Sequence, residues 1–473
     1  MKFTRTATAL GVAVFASNSL AEAVLYHNFS RVDVIEQAIV EDSWMLVEDG
    51  IIQSLGEGAL PAGFEAEARD MGGRYAMPGL IDAHAHITAG PHRLEVIDGR
   101  PTLTIESVDE ITRFNALSAL AHGVTTVRNP GGDTEANAHY DEHIASGEWT
   151  GPTALHAGRV IQPSPFGGSA FAHPDSREAW FAEARRQAEA GMRYFKLYVG
   201  LSEEELRTGI EAAHAHGLQA IAHLDQVSWT TALDAGIDGL EHALPTSADL
   251  LPEADRAAFE AMRPRGSVYL ADWFRRVDFD SPEMQALFAI LAERQTALNL
   301  TLLVNEMIAR ADALATVVDE TDLATMHPDN WAATEQLMSM GASLWQAEDF
   351  EMAREALAKV REFARRLFEA GIPLMIGTDG NGSGPLMAKE MQLHRNAGIP
   401  AWDVLALATH RAAETMGLDR VGRIAPGFEA DVAFLDADPV ASFEALKAAS
   451  AVIVDGRYYT RDALLAAARE FLD

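Results

Sequence analysis

The feature that most constrains the fold of this chain is a repeated alternation of short apolar segments with longer segments rich in Ala, Glu and Arg, between residues 78 and 420. The apolar segments have the length of buried strands, and the segments between them have helical composition. Eight strands are predicted: 80–83, 124–127, 154–157, 194–198, 220–222, 239–240, 300–304 and 374–376. Because parallel strands need crossover helices, the pattern predicts an α/β fold and, with eight repeats, a (β/α)8 TIM-like barrel.

Both ends of the chain have a different texture, with short strands separated by turns. Residues 24–77 and 421–473 are therefore predicted to build one small β-sandwich domain from the two chain ends, with a helix closing the C-terminal part. The barrel is expected over 78–420. Its span 306–370 is longer than one crossover helix, which predicts a helical insertion, with a role as a lid left open.

The charge and cysteine content exclude several classes of function. The chain has 70 acidic and 37 basic side chains, a formal net charge of −33, so nucleic acid and anionic membrane surfaces are not expected as partners. Cysteine is absent, which excludes disulfides and thiolate metal sites. Any metal would be held by His, carboxylate or a modified Lys.

The N-terminus has the pattern of an export signal. Lys2 and Arg5 precede an apolar stretch over 7–16, and Ala21 and Ala23 are small residues suited to cleavage. We predict a signal peptide over 1–23 and a periplasmic or secreted mature protein. The alternative is a cytosolic chain with an apolar start.

Six side chains that can bind metal ions fall at the ends of predicted strands. His84 and His86 are two positions apart, so both project from one face of the first strand, toward the barrel interior. The others, at later strand ends, are Lys196, His223, His242 and Asp379. Lys196 lies in an apolar strand, where burial favours the neutral amine, which can take up carbon dioxide and become an N6-carboxylated, anionic ligand.

This ordered set, together with segments 48–52, 77–86, 123–128 and 422–431, resembles amidohydrolases with a two-metal centre. The branch it is most similar to holds imidazolonepropionase-like enzymes and metal-dependent prolidases. The resemblance implies that His84, His86 and Asp379 hold one divalent metal ion and that His223 and His242 hold the other. Carboxylated Lys196 and a hydroxide would bridge the two ions. Zinc is the default metal, with manganese, cobalt or nickel as alternatives.

The resemblance also implies the catalytic roles. The bridging hydroxide attacks the scissile carbonyl, and Lys196 is catalytic as the bridge that places both metals. Asp379 is expected to accept the hydroxide proton and to return it to the departing amine. The expected reaction is hydrolysis of a C–N amide bond in a small substrate, either a dipeptide such as Xaa-Pro or an N-acyl amino acid. A lactone or a cyclic amide would suit the same centre.

Three residues are candidate substrate contacts. Arg128 and Tyr198 follow strand ends and offer a bidentate cation and a hydroxyl donor. Many relatives carry Gly-Gly-His after the third strand, whereas this chain has Gly-Gly-Ser at 167–169, and His173 is the nearby substitute.

The alternatives to a two-metal hydrolase are a one-metal deaminase and a non-catalytic metal-binding relative. A one-metal deaminase would not need Lys196 and usually carries Glu soon after the fifth-strand His, but Leu-Asp-Gln follows His223 here. A non-catalytic metal-binding relative would be expected to lose ligands, and all six are present. A small-molecule substrate is the expected partner, and a homo-oligomer is compatible with the sequence.

Overall fold

A computed structural model of the chain describes residues 23–60, 67–97, 99–162, 166–382 and 384–472. The predicted signal peptide over 1–23 lies outside these residues except for Ala23. The strands are β1 (Val24–Asp33), β2 (Ala38–Glu48), β3 (Ile51–Glu57), β4 (Glu67–Pro78), β5 (Leu80–Asp82), β6 (His92–Ile97), β7 (Arg100–Ile105), β8 (Val124–Asn129), β9 (Thr153–His156), β10 (Val160–Ile161), β11 (Phe166–Gly167), β12 (Phe171–Ala172), β13 (Tyr194–Leu197), β14 (Gln219–Ala222), β15 (Gly239–Glu241), β16 (Ala297–Asn299), β17 (Leu374–Met375), β18 (Val432–Leu435), β19 (Ala449–Val454) and β20 (Arg457–Thr460).

Helices separate most of the parallel strands. The α-helices are α1 (Asp109–Ala121), α2 (Thr134–Ser146), α3 (Arg177–Glu189), α4 (Glu203–Ala215), α5 (Trp229–Ala235), α6 (Glu253–Glu260), α7 (Val268–Arg276), α8 (Pro282–Arg294), α9 (Leu302–Ala309), α10 (Glu320–Leu323), α11 (Pro328–Gly341), α12 (Ala347–Glu369), α13 (Met387–Asn396), α14 (Ala401–Leu407), α15 (His410–Thr415) and α16 (Arg461–Arg469). Short 3-10 segments lie at Ala248–Leu250, Arg263–Arg265, Leu314–Thr316, Gly384–Leu386 and Phe443–Ala448.

Local sequence signals set the start of several crossover helices. The side chains of Asp133, Ser176, Ser202 and Ser228 each accept a backbone N–H from the first turn of α2, α3, α4 and α5. Ser202 and Glu205 form a reciprocal capping box. Each cap lies a few residues after a strand, so the chain turns from the sheet edge directly into the helix that covers the sheet.

The two chain ends share one sheet of seven strands, in the order β20-β19-β18-β4-β1-β2-β3. β18 pairs antiparallel with β4, so that Ala433 lies opposite Met77. One face buries a separate apolar cluster that includes Tyr26, Phe434 and Ile453. The joining of the chain ends in one β-unit agrees with the sequence pattern, whereas the second sheet expected of a sandwich is not shown by the described residues.

The parallel strands between these ends form two sheets, β5-β8-β9 and β12-β10-β13-β14-β15-β16-β17. Isolated parallel bridges connect them, from Ala157 to Tyr194 on one side and from Ala85 to Gly380 on the other. The N–H of Ala83 also donates to the carbonyl of Ile376 at 2.8 Å. The predicted α/β class is confirmed, with β9 beside β13 and β17 beside β5.

The seventh strand is displaced from its predicted position. It lies at β16, whereas the predicted strand 300–304 falls largely in α9. The buried carboxylate of Glu390 accepts the backbone N–H groups of Leu302 and Leu303, at 2.7 Å each, and so satisfies the free donors at the start of a helix. The local apolar run does not reveal this cap, because it comes from a residue 87 positions further along the chain.

The long insertion is helical, as predicted, but helix begins at α9, before residue 306, and continues through α10, α11 and α12. A second addition is a three-stranded sheet of β6, β7 and β11, and β6 lies against α11. Both additions follow carboxyl ends of parallel strands. No helix among the described residues combines the length and apolar character needed to cross a membrane.

Candidate metal centre

All six predicted ligands lie at one edge of the parallel strands. His84 and His86 follow β5, Lys196 lies in β13, His223 follows β14, His242 follows β15 and Asp379 follows β17. Since the carboxyl ends of parallel strands meet at the same edge, their side chains converge. His242 and Asp379 have φ angles of 65° and 58°, an uncommon backbone region for non-glycine residues, in the turns that leave the strands.

The carboxylate of Asp379 is the meeting point of the group. Its Oδ1 lies 3.1 Å from Nε2 of His84 and 3.3 Å from Nε2 of His86. His84, His242 and Asp379 each offer one ligand atom, and these three atoms lie within 4.8 Å of one another. The ring of His223 is 4.2 Å from that of His242, centre to centre. The four imidazoles and the carboxylate therefore form one cluster.

The other ring nitrogens of three imidazoles are held by acceptors. Nδ1 of His84 lies 2.7 Å from Glu241, and Nδ1 of His86 lies 2.8 Å from the carbonyl of Gly131. A carboxylate and a carbonyl can only accept, so both Nδ1 atoms carry a proton, and both Nε2 atoms point toward Asp379. Nδ1 of His242 lies 2.7 Å from the hydroxyl of Thr301. This arrangement fixes the rings for metal binding through Nε2.

Asp82 ties the first strand to the turn that carries Asp379. Its Oδ1 accepts the N–H of His84 at 3.0 Å and that of Thr378 at 3.1 Å, and its Oδ2 accepts the Thr378 hydroxyl at 2.8 Å. Close approach needs Gly377, because a Cβ there would lie 2.6 Å from Cβ of His84. The spacing of His84 and Asp379 thus depends on two residues without a role as ligands.

Arg128 has a different place from the predicted one. Its guanidinium is buried, donates to both carboxylate oxygens of Glu241 at 2.8 Å and to the carbonyl of Ala83 at 2.7 Å. It is not among the described residues that line the cavity at the ligands. The expectation of a substrate contact is therefore not supported, and Arg128 instead neutralises the carboxylate that orients His84.

Lys196 and His223 have buried nitrogen atoms without a hydrogen-bond partner in the described part of the chain, at Nζ and Nδ1 respectively. Burial lowers the pKa of Lys196 to about 8, against the opposing charge of Glu241. Burial, with the charge of Lys196, lowers the pKa of His223 to about 3. His223 is therefore a neutral nitrogen donor, and the lowered pKa of Lys196 increases the neutral fraction of its amine, which is the form that can be carboxylated.

Two further ligands have shifted ionisation. Burial lowers the pKa of His242 well below its usual value, and the neighbouring His223 adds to the effect. Burial opposes ionisation of Asp379, but the adjacent His84 and His242 outweigh it and hold the pKa of this carboxyl well below its usual range. The cluster thus combines two imidazoles held neutral, His223 and His242, with an ionised carboxylate, and these are protonation states that metal binding requires.

The ligands form the floor of a cavity of about 270 Å³. Tyr198, a predicted substrate contact, lines it, with its ring 5.0 Å from that of His223. His173 does not line it among the described residues; its side chain is exposed and its Nδ1 bonds the carbonyl of Gln162. The cavity also contains His92 of β6, whose pKa burial lowers to about 4, and Asn381.

Sequence reasoning missed the residues that support the ligands. Glu241 had a usable signal, since a carboxylate next to a strand-end His in an apolar strand needs a buried partner. Thr301 had no such signal, because it follows β16, and the sequence places that strand three residues later, at 300–304. His92 had no signal either, because it lies in the hairpin of β6 and β7, which was not predicted. Donors limited to imidazole, carboxylate and amine nitrogen suit zinc and neighbouring divalent ions.

Known proteins resemble the chain along most of its length. The model of the amidohydrolase family matches residues 75–458. Imidazolonepropionase from Ruegeria sp. (strain TM1040) is 25% identical over 415 residues, 84% of this chain and 89% of the relative. Imidazolonepropionase from Cupriavidus pinatubonensis (strain JMP 134 / LMG 1197) is 30% identical over 263 residues, 48% of this chain and 61% of the relative.

Solved structures with a similar fold include a dipeptidase. A Xaa-Pro dipeptidase with bound methionine in its active site superposes with a TM-score of 0.66 at 18% identity, over 93% of this chain and 100% of that one. The resemblance to the branch of imidazolonepropionase-like enzymes and prolidases is thereby confirmed. The chain belongs to the amidohydrolase family and is a hydrolase acting on carbon–nitrogen bonds.

Proposed function

We propose that this protein hydrolyses the C–N amide bond of a small substrate at a centre of two divalent metal ions. The observation that carries the proposal is the pair of buried, unpartnered nitrogen atoms of Lys196 and His223 beside the cluster of His84, His242 and Asp379. Unsatisfied buried polar atoms are costly unless a ligand completes them. The set of donors therefore fits two ions better than one.

The ligands divide as the family resemblance implies. His84, His86 and Asp379 would hold one ion, His223 and His242 the other, and N6-carboxylated Lys196 would contact both. Bound there, divalent ions supply Lewis acidity, which lowers the pKa of a bound water and polarises a carbonyl. Zinc is the first candidate, and manganese, cobalt and nickel are alternatives.

The chain supplies the proton transfer itself. The Asp379 carboxylate, within 3.1 to 3.3 Å of two imidazole nitrogens, is held ionised at the cavity floor. It can accept the proton of an attacking water and return it to the amine as the C–N bond breaks. Tyr198 can donate its hydroxyl to the substrate from the cavity wall.

The scissile bond is that of an amide such as a Xaa-Pro dipeptide or an N-acyl amino acid, in line with the structural similarity to a Xaa-Pro dipeptidase. A lactone or cyclic amide remains the second candidate, because imidazolonepropionases are among the relatives.

We also propose that the eight parallel strands form one closed barrel, supported by the bridges at Ala157 and Ala85. Residues 1–23 support export to the periplasm or beyond.

Metal analysis of the purified protein tests the proposal. About two ions per chain are expected; one ion would favour a deaminase-like centre, and none would favour a binding protein. Turnover is then measured on Xaa-Pro dipeptides, N-acyl amino acids, lactones and cyclic ureas with zinc, manganese and cobalt. Metal-dependent amine release supports the amidase, whereas absence of any turnover in metal-loaded protein would overturn it.

A further inference from the structure

We propose that the cavity accepts the uncharged, apolar part of its substrate and has no subsite for a free carboxylate. The substrate class is then a neutral amide, such as an N-acyl amine with an aromatic or aliphatic group, rather than an acid of the dipeptide or N-acyl amino acid type. This inference rests on the reaction and metal centre of the proposed function, and it replaces the dipeptide or N-acyl amino acid named there by a neutral amide.

One wall of the cavity is aromatic. Phe166, Phe171 and Tyr198 form a connected set, with ring centres 5.3 Å apart for Phe166 and Phe171 and 6.0 Å apart for Phe166 and Tyr198. Val160 and Ile105 complete the same apolar cluster. Such a wall stacks against a planar or aliphatic group and offers one hydroxyl as its polar atom.

The opposite wall is aliphatic and comes from the helical insertion. Met307 of α9 and Leu337 and Met338 of α11 line the cavity, and Met307 and Met338 belong to one apolar cluster distinct from the aromatic one. Methionine adapts its shape to irregular apolar groups. A substrate with its scissile amide at the ligands therefore has an apolar surface on two sides.

Among the residues that the structure describes, the cavity wall away from the predicted ligands offers no cation to a carboxylate. Among the described lining residues Lys196 is the only Lys or Arg, and it lies buried with the ligands. Residues 163–165, between Gln162 and Phe166, are Pro, Ser and Pro in the sequence. Arg93 follows His92 along β6, so it projects to the opposite face of that strand, and it is exposed.

A carboxylate moved onto these walls would lose its hydration and would find only neutral partners, the Tyr198 hydroxyl, His92 and Asn381, in place of a cation, which is unfavourable. The net charge of −33 adds a long-range repulsion against anionic substrates. Apolar character also extends outward on two elements of the cavity wall, since Leu94 and Val96 of β6 and Met340 of α11 are exposed. Each of these properties favours neutral apolar compounds.

The test compares two substrates that differ only in the carboxylate. N-acetylphenylalanine and N-acetylphenethylamine have the same acyl group and aromatic ring, and release of the amine is measured with the metal-loaded enzyme. We expect kcat/KM for the neutral compound to be higher by at least about tenfold, because its rival carries an unpaired charge into an apolar cavity. Equal or faster hydrolysis of the acid would overturn the inference.

A charged variant and its neutral counterpart test whether the lack of a cation causes the preference for the neutral compound. Met338 is half-buried on α11, and Met338→Lys adds a cation of similar length, whereas Met338→Gln adds polarity alone. The lysine variant should reduce the preference for the neutral compound by about tenfold, with little change in the glutamine variant. An equal change in both would overturn the inference. Leu337→Lys and Leu337→Gln form a second pair for the case of poor folding.

Binding is measured separately from catalysis by titrating both compounds into metal-free protein in a calorimeter. The neutral compound should bind more tightly, by a factor like that found in turnover. This arrangement separates the two proposals. Hydrolysis of neither compound, with selective binding retained, would count against the proposed function alone, whereas preferential binding and hydrolysis of the acid would count against the substrate inference alone.

Discussion

Both carboxylate oxygens of Glu241 lie 2.8 Å from Nη2 of Arg128, and both side chains are buried. The same carboxylate holds Nδ1 of His84 at 2.7 Å. The ion pair therefore sets the orientation of a metal ligand from beneath the strand ends.

We expect Arg128→Met to lower the free energy of unfolding by about 3–5 kcal/mol, because it removes the guanidinium that pairs with the buried Glu241 carboxylate and leaves that carboxylate with the hydrogen bond to His84. Urea denaturation followed by circular dichroism measures the change. Arg207→Met is the matched control, since Arg207 is exposed and its pairs with Glu203 and Asp234 lie in solvent, where such a loss costs about 1 kcal/mol or less. Similar losses in the two variants would contradict the role given to Arg128.

The hydroxyl of Thr301, 2.7 Å from Nδ1 of His242, is expected to act on metal affinity. Thr301→Val keeps the shape of the side chain but removes the hydrogen bond that orients the ring. The affinity for zinc should fall by about 10–100-fold, as measured by competition with a chelator. Thr301→Ser retains the hydroxyl and should keep the affinity near that of the wild type. An unchanged affinity in the valine variant would exclude this role.

How far the sequence predicts the site can be judged from these residues. His84 and His86 could be placed because alternation along a strand sends both to one face, and His223, His242 and Asp379 because each follows an apolar run. The local sequence pattern is thus enough to place these ligands at the strand ends. Lys196 was identified by the mismatch between its charge and its apolar strand.

The supporting residues depend on long-range contacts that a local pattern does not contain. The strand before Thr301 was predicted three residues too late. The reason is that helix α9 starts at Leu302, where the N–H groups of Leu302 and Leu303 are capped by Glu390, a residue far along the chain. Arg128 looked like a rim residue from its position after a strand, yet its guanidinium reaches inward to Glu241. Predicting either contact requires knowing which strands are neighbours.

His122 is expected to make stability depend on pH. It is buried, and its Nδ1 lies 2.8 Å from the carbonyl of Ser118 and its Nε2 3.3 Å from the hydroxyl of Thr325. Burial lowers its pKa from 6.5 to about 4. The unfolded chain therefore takes up the proton first as the pH falls. The contribution of the neutral His122 to the free energy of unfolding is therefore fully present above pH 6.5. It falls by about 3 kcal/mol as the pH decreases from 6.5 to about 4.

The measurement for His122 is the slope of unfolding free energy against pH, in the wild type and in His122→Gln. The variant should have a smaller slope over that interval, whatever its stability at neutral pH, because one neutral buried imidazole has been removed. His214→Gln, at an exposed imidazole, serves as the matched control for replacement of a histidine by glutamine. Equal slopes in wild type and His122→Gln would refute the assignment.

Lys196→Ala tests the bridging ligand directly. Removal of the amine removes the site of carboxylation, so metal content should fall from about two ions per chain to about one, and turnover by about 10³-fold. Added formate, acetate or propionate should restore part of the turnover, since a short carboxylate can occupy the space of the missing carbamate. Lys359→Ala, at an exposed lysine paired with Glu362, should retain both ions and full turnover. The Nζ atom of Lys196 is buried without a hydrogen-bond partner among the described residues, which suits carboxylation and metal binding, and full activity in Lys196→Ala would remove the basis for a two-metal centre.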